Sequence, residues 1–96
     1  MKMLMIAYDD SMDSQVMDVI HLNAQAEDTK WNHVIGWGQH SEPHLMSPIW
    51  PKANNVLMTC LEDEKASHIL ESLRGLKKTA GLRGLKAFLL PVLETT

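Results

Sequence analysis

The chain opens on an unbroken apolar run. Residues 2 to 8 (Lys-Met-Leu-Met-Ile-Ala-Tyr) have the length of a strand, and such a run suits a central strand covered on at least one face. Asp9-Asp10-Ser11 ends it with small polar and acidic residues that favour the positive end of a helix. Met12, Val16, Val19 and Ile20 then recur at helical spacing, and the pattern fades near Asn23. Residues 24 to 30 are polar and predict a connector. Trp31 to Trp37 predicts a second strand ending at Gly38, and Val56 to Leu61 predicts a third. After the acids Glu62-Asp63-Glu64, Ala66, Ile69, Leu70, Leu73 and Leu76 mark one face of a second helix that closes on Lys77-Lys78. Gly81 and Gly84 punctuate a turn before a last strand over Leu85 to Leu93, where Pro91 argues for an edge position or a bulge.

The predicted order is β-α-β-β-α-β. It implies an α+β, ferredoxin-like sandwich: a four-stranded antiparallel sheet with both helices on one face. A chain of 96 residues accommodates this as one domain over 1–96. The uncovered face, if it carries the alternate Met, Leu and Val side chains, needs a partner, and self-association is the simplest one. Cys60 has no second cysteine to pair with, so no disulfide supports this small domain, and its apolar surroundings predict a buried thiol. Oligomerisation remains as the usual support for a domain of this size.

Charge narrows the partners. Nine basic against twelve acidic residues leave a net charge of −3, with no basic stripe, which disfavours nucleic acid. The apolar N-terminal run is too short for a bilayer and lacks a cleavage site, so neither membrane insertion nor secretion is expected. A cytoplasmic location follows as the expectation.

Residues 39 to 53, QHSEPHLMSPIWPKA, join strands two and three. Hairpin loops usually run about two to five residues, so a connection of this length suggests a function. Leu45, Met46, Ile49 and Trp50 are apolar, and Pro43, Pro48 and Pro51 stiffen the path. Two readings stand: an arm that packs on its own sheet or a neighbouring subunit, or a flap that closes its own core. Within it, His40, Glu42 and His44 form H-x-E-x-H, which in extended backbone would project to one side as ligands for a divalent metal. Pro43 interrupts the run and no cysteine pair completes a structural site, which favours a plain polar rim. His21 and His68 fall on the helices and His33 on strand two, as surface or half-buried residues. No nucleophile constellation appears, and the carboxylates cluster where helix capping accounts for them, so no enzyme is expected. A ferredoxin-like dimeric enzyme would have His33 as its one nameable catalytic candidate.

Val34 to Gln39 (Val-Ile-Gly-Trp-Gly-Gln) ends strand two in G-x-G-Q and runs into the long loop. With the βαββαβ order, and with Gly81-Leu-Arg-Gly84-Leu-Lys86-Ala-Phe88 before Pro91-Val92, the chain resembles the PII signalling proteins through most of its length. The resemblance implies a homotrimer with sheets around a central core and small effectors in the clefts between subunits. It implies that Gly36, Gly38 and Gln39 lie against an adenine nucleotide such as ATP, ADP or AMP. Gly81, Gly84 and Lys86 would hold its phosphates. Loop 39–53 would take the place of the family's T-loop, which contacts a protein target. Leu85 stands where the family has its last B-loop glycine, and the 39–53 loop carries no tyrosine. The CutA divalent-cation-tolerance proteins share this architecture, and a CutA-like trimer would bind metal through His40, Glu42 and His44.

Overall fold

The computed structural model describes residues 1–23, 27–36, 53–81 and 83–96. Strand β1 (Lys2–Asp9) leads through a 3-10 turn (Asp10–Met12) into helix α1 (Asp13–Asn23). Strands β2 (Asp28–Val34) and β3 (Asn54–Leu61) follow, then helix α2 (Asp63–Lys78) and strand β4 (Leu85–Pro91). The strands form one sheet in the order β2-β3-β1-β4, with every neighbour antiparallel. This is the ferredoxin-like α+β arrangement expected from the sequence.

Parity along the strands divides the sheet. Leu4, Ile6 and Tyr8 of β1, Leu57 and Leu61 of β3 and Leu85 of β4 point to the helices and are buried. Met12, Val16 and Ile20 meet them from the first helical segment, and Ala66, Ile69 and Leu73 from α2. The spacing read in the sequence is the face that is buried. Asp9 begins the first helical segment, its side chain accepting from the Ser11 backbone N–H at 2.9 Å. Beyond α2, Gly81 sits at φ +64° with open space where a Cβ would stand. Its requirement is therefore conformational, and Gly81→Ala should cost about 1 kcal/mol through the left-handed backbone alone. Urea denaturation would measure it, and an unchanged midpoint would show that the turn relaxes to another conformation.

Among the described residues no helix covers the opposite face. Register places Met3 between Cys60 and Leu90, Met5 between Met58 and Phe88, and Ala7 between Val56 and Lys86. Thr29 and Trp31 extend the last two rows onto β2. Phe88 is 54 % exposed, Trp31 47 % and Leu90 37 %. Cys60 stands on this outer face and is exposed, not buried. An apolar run shows that a strand is central, whereas only its register says which alternate residues face the helices.

Strand two also departs from expectation: it starts at Asp28, inside the expected connector, and ends at Val34. Its inward residues are polar and face α1: Lys30 forms an ion pair with Asp13 at 3.2 Å, and the Asp28 carboxylate lies 3.6 Å from His21 Nε2. An edge strand satisfied in this way carries no hydrophobic alternation. The last strand stops at Pro91 and is the opposite edge, consistent with the missing N–H of proline.

Candidate functional site

Three connections meet at the end of the sheet where β1 and β2 stop and β3 and β4 start. The Asp9 N–H donates to Gly84 O at 2.9 Å, and the Asp10 N–H donates to Ala53 O at 3.0 Å. Gly36 lies just past β2, where a Cβ would overlap the side-chain amide of Asn54. A side chain at 36 would therefore require the Asn54 amide to move, a matter of close approach and not of backbone sign. On the other side the Arg83 N–H donates to Ala80 O at 3.1 Å, closing the turn that contains Gly81. Lys86, opposite Ala7, is exposed on the edge strand.

Gly36, Gly81, Gly84 and Lys86 thus occupy one end of the sheet, yet not one point. Gly36 belongs to the β2 side and Lys86 to β4, three strand spacings apart, or about 14 Å. Gly38, Gln39, His40, Glu42 and His44 lie outside the described residues, as does the 39–52 part of the arm. Among the described residues no three metal-ligating side chains gather.

A polar cluster braces this end, and sequence reading missed it. Tyr8 Oη donates to Asp13 Oδ1 at 2.6 Å, and Lys30 Nζ reaches both Asp13 oxygens at 3.2 Å. Asn55, 1 % exposed, donates through Nδ2 to Asp10 Oδ1 at 2.9 Å and to Asp13 Oδ1 at 3.2 Å. Its Oδ1 accepts from the His33 backbone N–H at 3.1 Å. That bond replaces a ladder bond where the β2–β3 register shifts between Trp31 and Val34, and His33 there has φ +58°. A non-glycine residue in this region stores about 1–2 kcal/mol, so Asn55 holds a strained bulge in place. The His33 side chain is exposed, with Nε2 3.9 Å from Asp10 Oδ2.

The cluster sets the titration of its members. Burial, then the hydrogen bond and charge of Asp13, holds the Tyr8 phenol well above its usual range. Burial pushes the Asp13 carboxyl up, but the Tyr8 hydroxyl, Lys30 and Asn55 together outweigh it and leave Asp13 below its usual range. One signal for the cluster was present in the sequence: Asn55 occupies an inward position of an otherwise apolar strand.

Two concavities differ in character. A trough of about 620 Å³ lies at the opposite end of the sheet, where Glu27, Asp28 and Glu62 stand with Lys65 and Cys60. Its acidic surroundings suit a phosphate poorly. A smaller groove of about 270 Å³ runs between α2 and β4, and Lys86 lines it.

No family model matches the chain, and no curated protein matches it in sequence. Solved structures do match in fold. A candidate PII-like signalling protein of Thermus thermophilus superposes with a TM-score of 0.69 at 18 % identity, over 93 % of this chain and 83 % of that one. CPII of Thiomonas intermedia K12 bound to ADP and bicarbonate superposes at 0.68 and 19 % identity, over 95 % of this chain and 86 % of that one. CPII bound to ADP, AMP and bicarbonate, described as a nitrogen regulatory PII-like protein, gives 0.69 at 15 % identity over 99 % and 94 %. The chain therefore carries the fold of the PII-like signalling proteins.

Proposed function

We propose that this protein is a non-enzymatic, PII-like regulator of the cytoplasm, one domain over 1–96. It assembles as a homotrimer, binds an adenine nucleotide in the clefts between subunits, and acts on a protein target through its 39–53 loop. The observation that supports this reading is that Gly36, Gly81, Gly84 and Lys86 all lie at one end of the sheet, spread across its strands, in a fold shared with ADP-bound CPII. Glycines let phosphate or base approach the backbone N–H groups, and Lys86 supplies the positive charge. Gly38 and Gln39 belong to the same site.

Trimerisation is supported by the apolar outer face and by the separation of the two halves of the site. Gly36 and Lys86 stand toward opposite edges of one sheet, so a second copy beside the first can complete a site that one chain spreads out. No helix among the described residues is long and apolar enough to cross a membrane. The bound nucleotide would favour one arrangement of the 39–53 loop, and the differential contacts of that state are the switch.

Native mass spectrometry with ATP, ADP, AMP and zinc tests the reading. A trimer taking up to three nucleotides is expected, and Lys86→Ala should weaken their binding about tenfold, as loss of a charge-assisted phosphate contact does. Unchanged affinity would remove Lys86 from the site. Zinc taken up instead, and lost in His40→Ala/His44→Ala, would transfer the function to His40, Glu42 and His44 as in a CutA-like trimer.

A further inference from the structure

Sulfur is concentrated on one part of the outer face. Register sets Met3 directly across from Cys60, and Met5 directly across from Met58, on two adjacent strands. Met1, two residues before Met3, lines the acidic trough together with Met58 and Cys60. Four of the seven methionines therefore stand around the single cysteine. Side chains directly opposite on one face have Cβ atoms about 4.5–5.5 Å apart, and diagonal neighbours about 7–8 Å. The three rotatable bonds of a methionine side chain let its sulfur cross such a gap. Cys60 is exposed and Met3 and Met58 are half-buried, so these sulfurs are open to an ion from solvent.

The trough they border suits a cation. Glu27, Asp28 and Glu62 line it against one lysine, Lys65, and the Met1 ammonium is engaged by Asp63 at 2.9 Å. No histidine belongs to its described lining. Histidine, cysteine and carboxylate groups by themselves form no group of three among the described residues, so a ligand set here is built on thioethers. Thioether and thiolate sulfur together select a soft monovalent ion, whereas carboxylate and water ligands suit magnesium. Packing explains methionine on an apolar face, but leucine would fill it as well, as Leu90 does on β4. Packing gives no reason for a thiol and thioethers beside a trough rimmed with carboxylates.

We infer that this trough is a site for a soft monovalent metal ion, Cu(I) or Ag(I), held by the Cys60 thiolate with the thioethers of Met58, Met3 and Met1. As the sulfur–metal bond forms, the Cys60 thiol proton leaves to water, and the oxidation state of the metal does not change. The thioethers coordinate through neutral lone pairs. Thiolate and ion cancel in charge, which fits a half-buried, largely apolar surface, and the rim carboxylates raise the local concentration of cations. The site lies at the other end of the sheet from Gly36, Gly81 and Gly84, and it is independent of the nucleotide reading.

Ag(I), which undergoes no redox step under these conditions, is the probe. It is titrated into the full chain carrying isotope-labelled methionine methyl groups, with equimolar glutathione as a competing simple thiol. Native mass spectrometry should show one Ag(I) per chain, and the methyl resonances of Met1, Met3 and Met58 should move while those of Met12 and Met17 stay. Loss of an outer partner already lowers metal affinity about 10- to 100-fold, so Cys60→Ser should weaken binding at least about a hundredfold and Met58→Leu or Met3→Leu about tenfold each. Met17→Leu and His40→Ala/His44→Ala should leave it unchanged. Circular dichroism melts check that each variant remains folded. Glutathione stripping all the metal would overturn the site. So would binding lost in Cys60→Ser yet unchanged in both Met58→Leu and Met3→Leu, which marks a simple thiol adduct. Zinc moving the same methyl resonances would overturn the assignment of a soft ion.

Discussion

Phe88→Lys is expected to convert the proposed trimer into a folded monomer. Phe88 lies on the edge strand of the outer face, in the row it shares with Met5, Met58 and Thr29. At 54 % exposure it contributes little to the core of one chain, so its replacement should leave the monomer intact. In an assembly built on this face, the same lysine would carry an ammonium group into an apolar contact with no counter-ion, a cost of several kcal/mol per copy. That penalty recurs in every protomer, and each factor of ten in association corresponds to about 1.4 kcal/mol. Light scattering coupled to gel filtration would show a fall from three chains to one. Met5→Lys, at the centre of the face, should do the same. Three chains retained in both variants would place the interface elsewhere and leave the outer face for another partner.

Asn55→Ala should be the most destabilising single change near the candidate site, costing about 2–4 kcal/mol. It removes the acceptor of the His33 N–H and the donor to Asp10 and Asp13 in one step. The bulge at His33 then loses the bond that offsets its backbone strain. Because the chain runs from that bulge through Gly36 into the proposed effector site, effector binding should weaken along with stability. Urea denaturation at fixed protein concentration gives the loss directly; a change below about 0.5 kcal/mol would mean that the cluster is solvated rather than structural. The same cluster predicts the pH limits. Asp13 is depressed in the folded state, so its contribution is complete above the ordinary carboxylate value of 3.8 and is lost as pH falls below it. Tyr8 is raised, so its contribution holds below pH 10.0 and is lost as pH climbs past that value. Asp13→Asn should flatten the acid limb of a stability profile and Tyr8→Phe the alkaline one.

Local pattern was enough for the helices and for the central strands. The central strand β1 stood out as an unbroken apolar run, and Ala66, Ile69 and Leu73 repeat every three or four because burial on one face imposes the period of the helix itself. Helix ends were legible for a similar reason: orphan N–H groups and the dipole select Asp9 and Asp63 at one end and Lys77 and Lys78 at the other. Gly36, Gly81, Gly84 and Lys86 could be singled out by resemblance, but the reasons for two of those glycines differ. Gly81 answers to backbone conformation and Gly36 to the neighbouring Asn54, a residue eighteen positions away.

What the sequence by itself determined was the order of elements and the inward face of α2, and hence the ferredoxin-like fold. Only the tertiary structure decided which side of β3 carries Cys60, where the polar edge strand β2 begins, and that Tyr8, Asp10, Asp13, Lys30 and Asn55 form one cluster. The division follows from the range of the forces. Periodic burial and capping act within a few residues and leave a repeating mark, whereas register, cross-strand pairing and charge clusters join positions far apart in the chain and leave none.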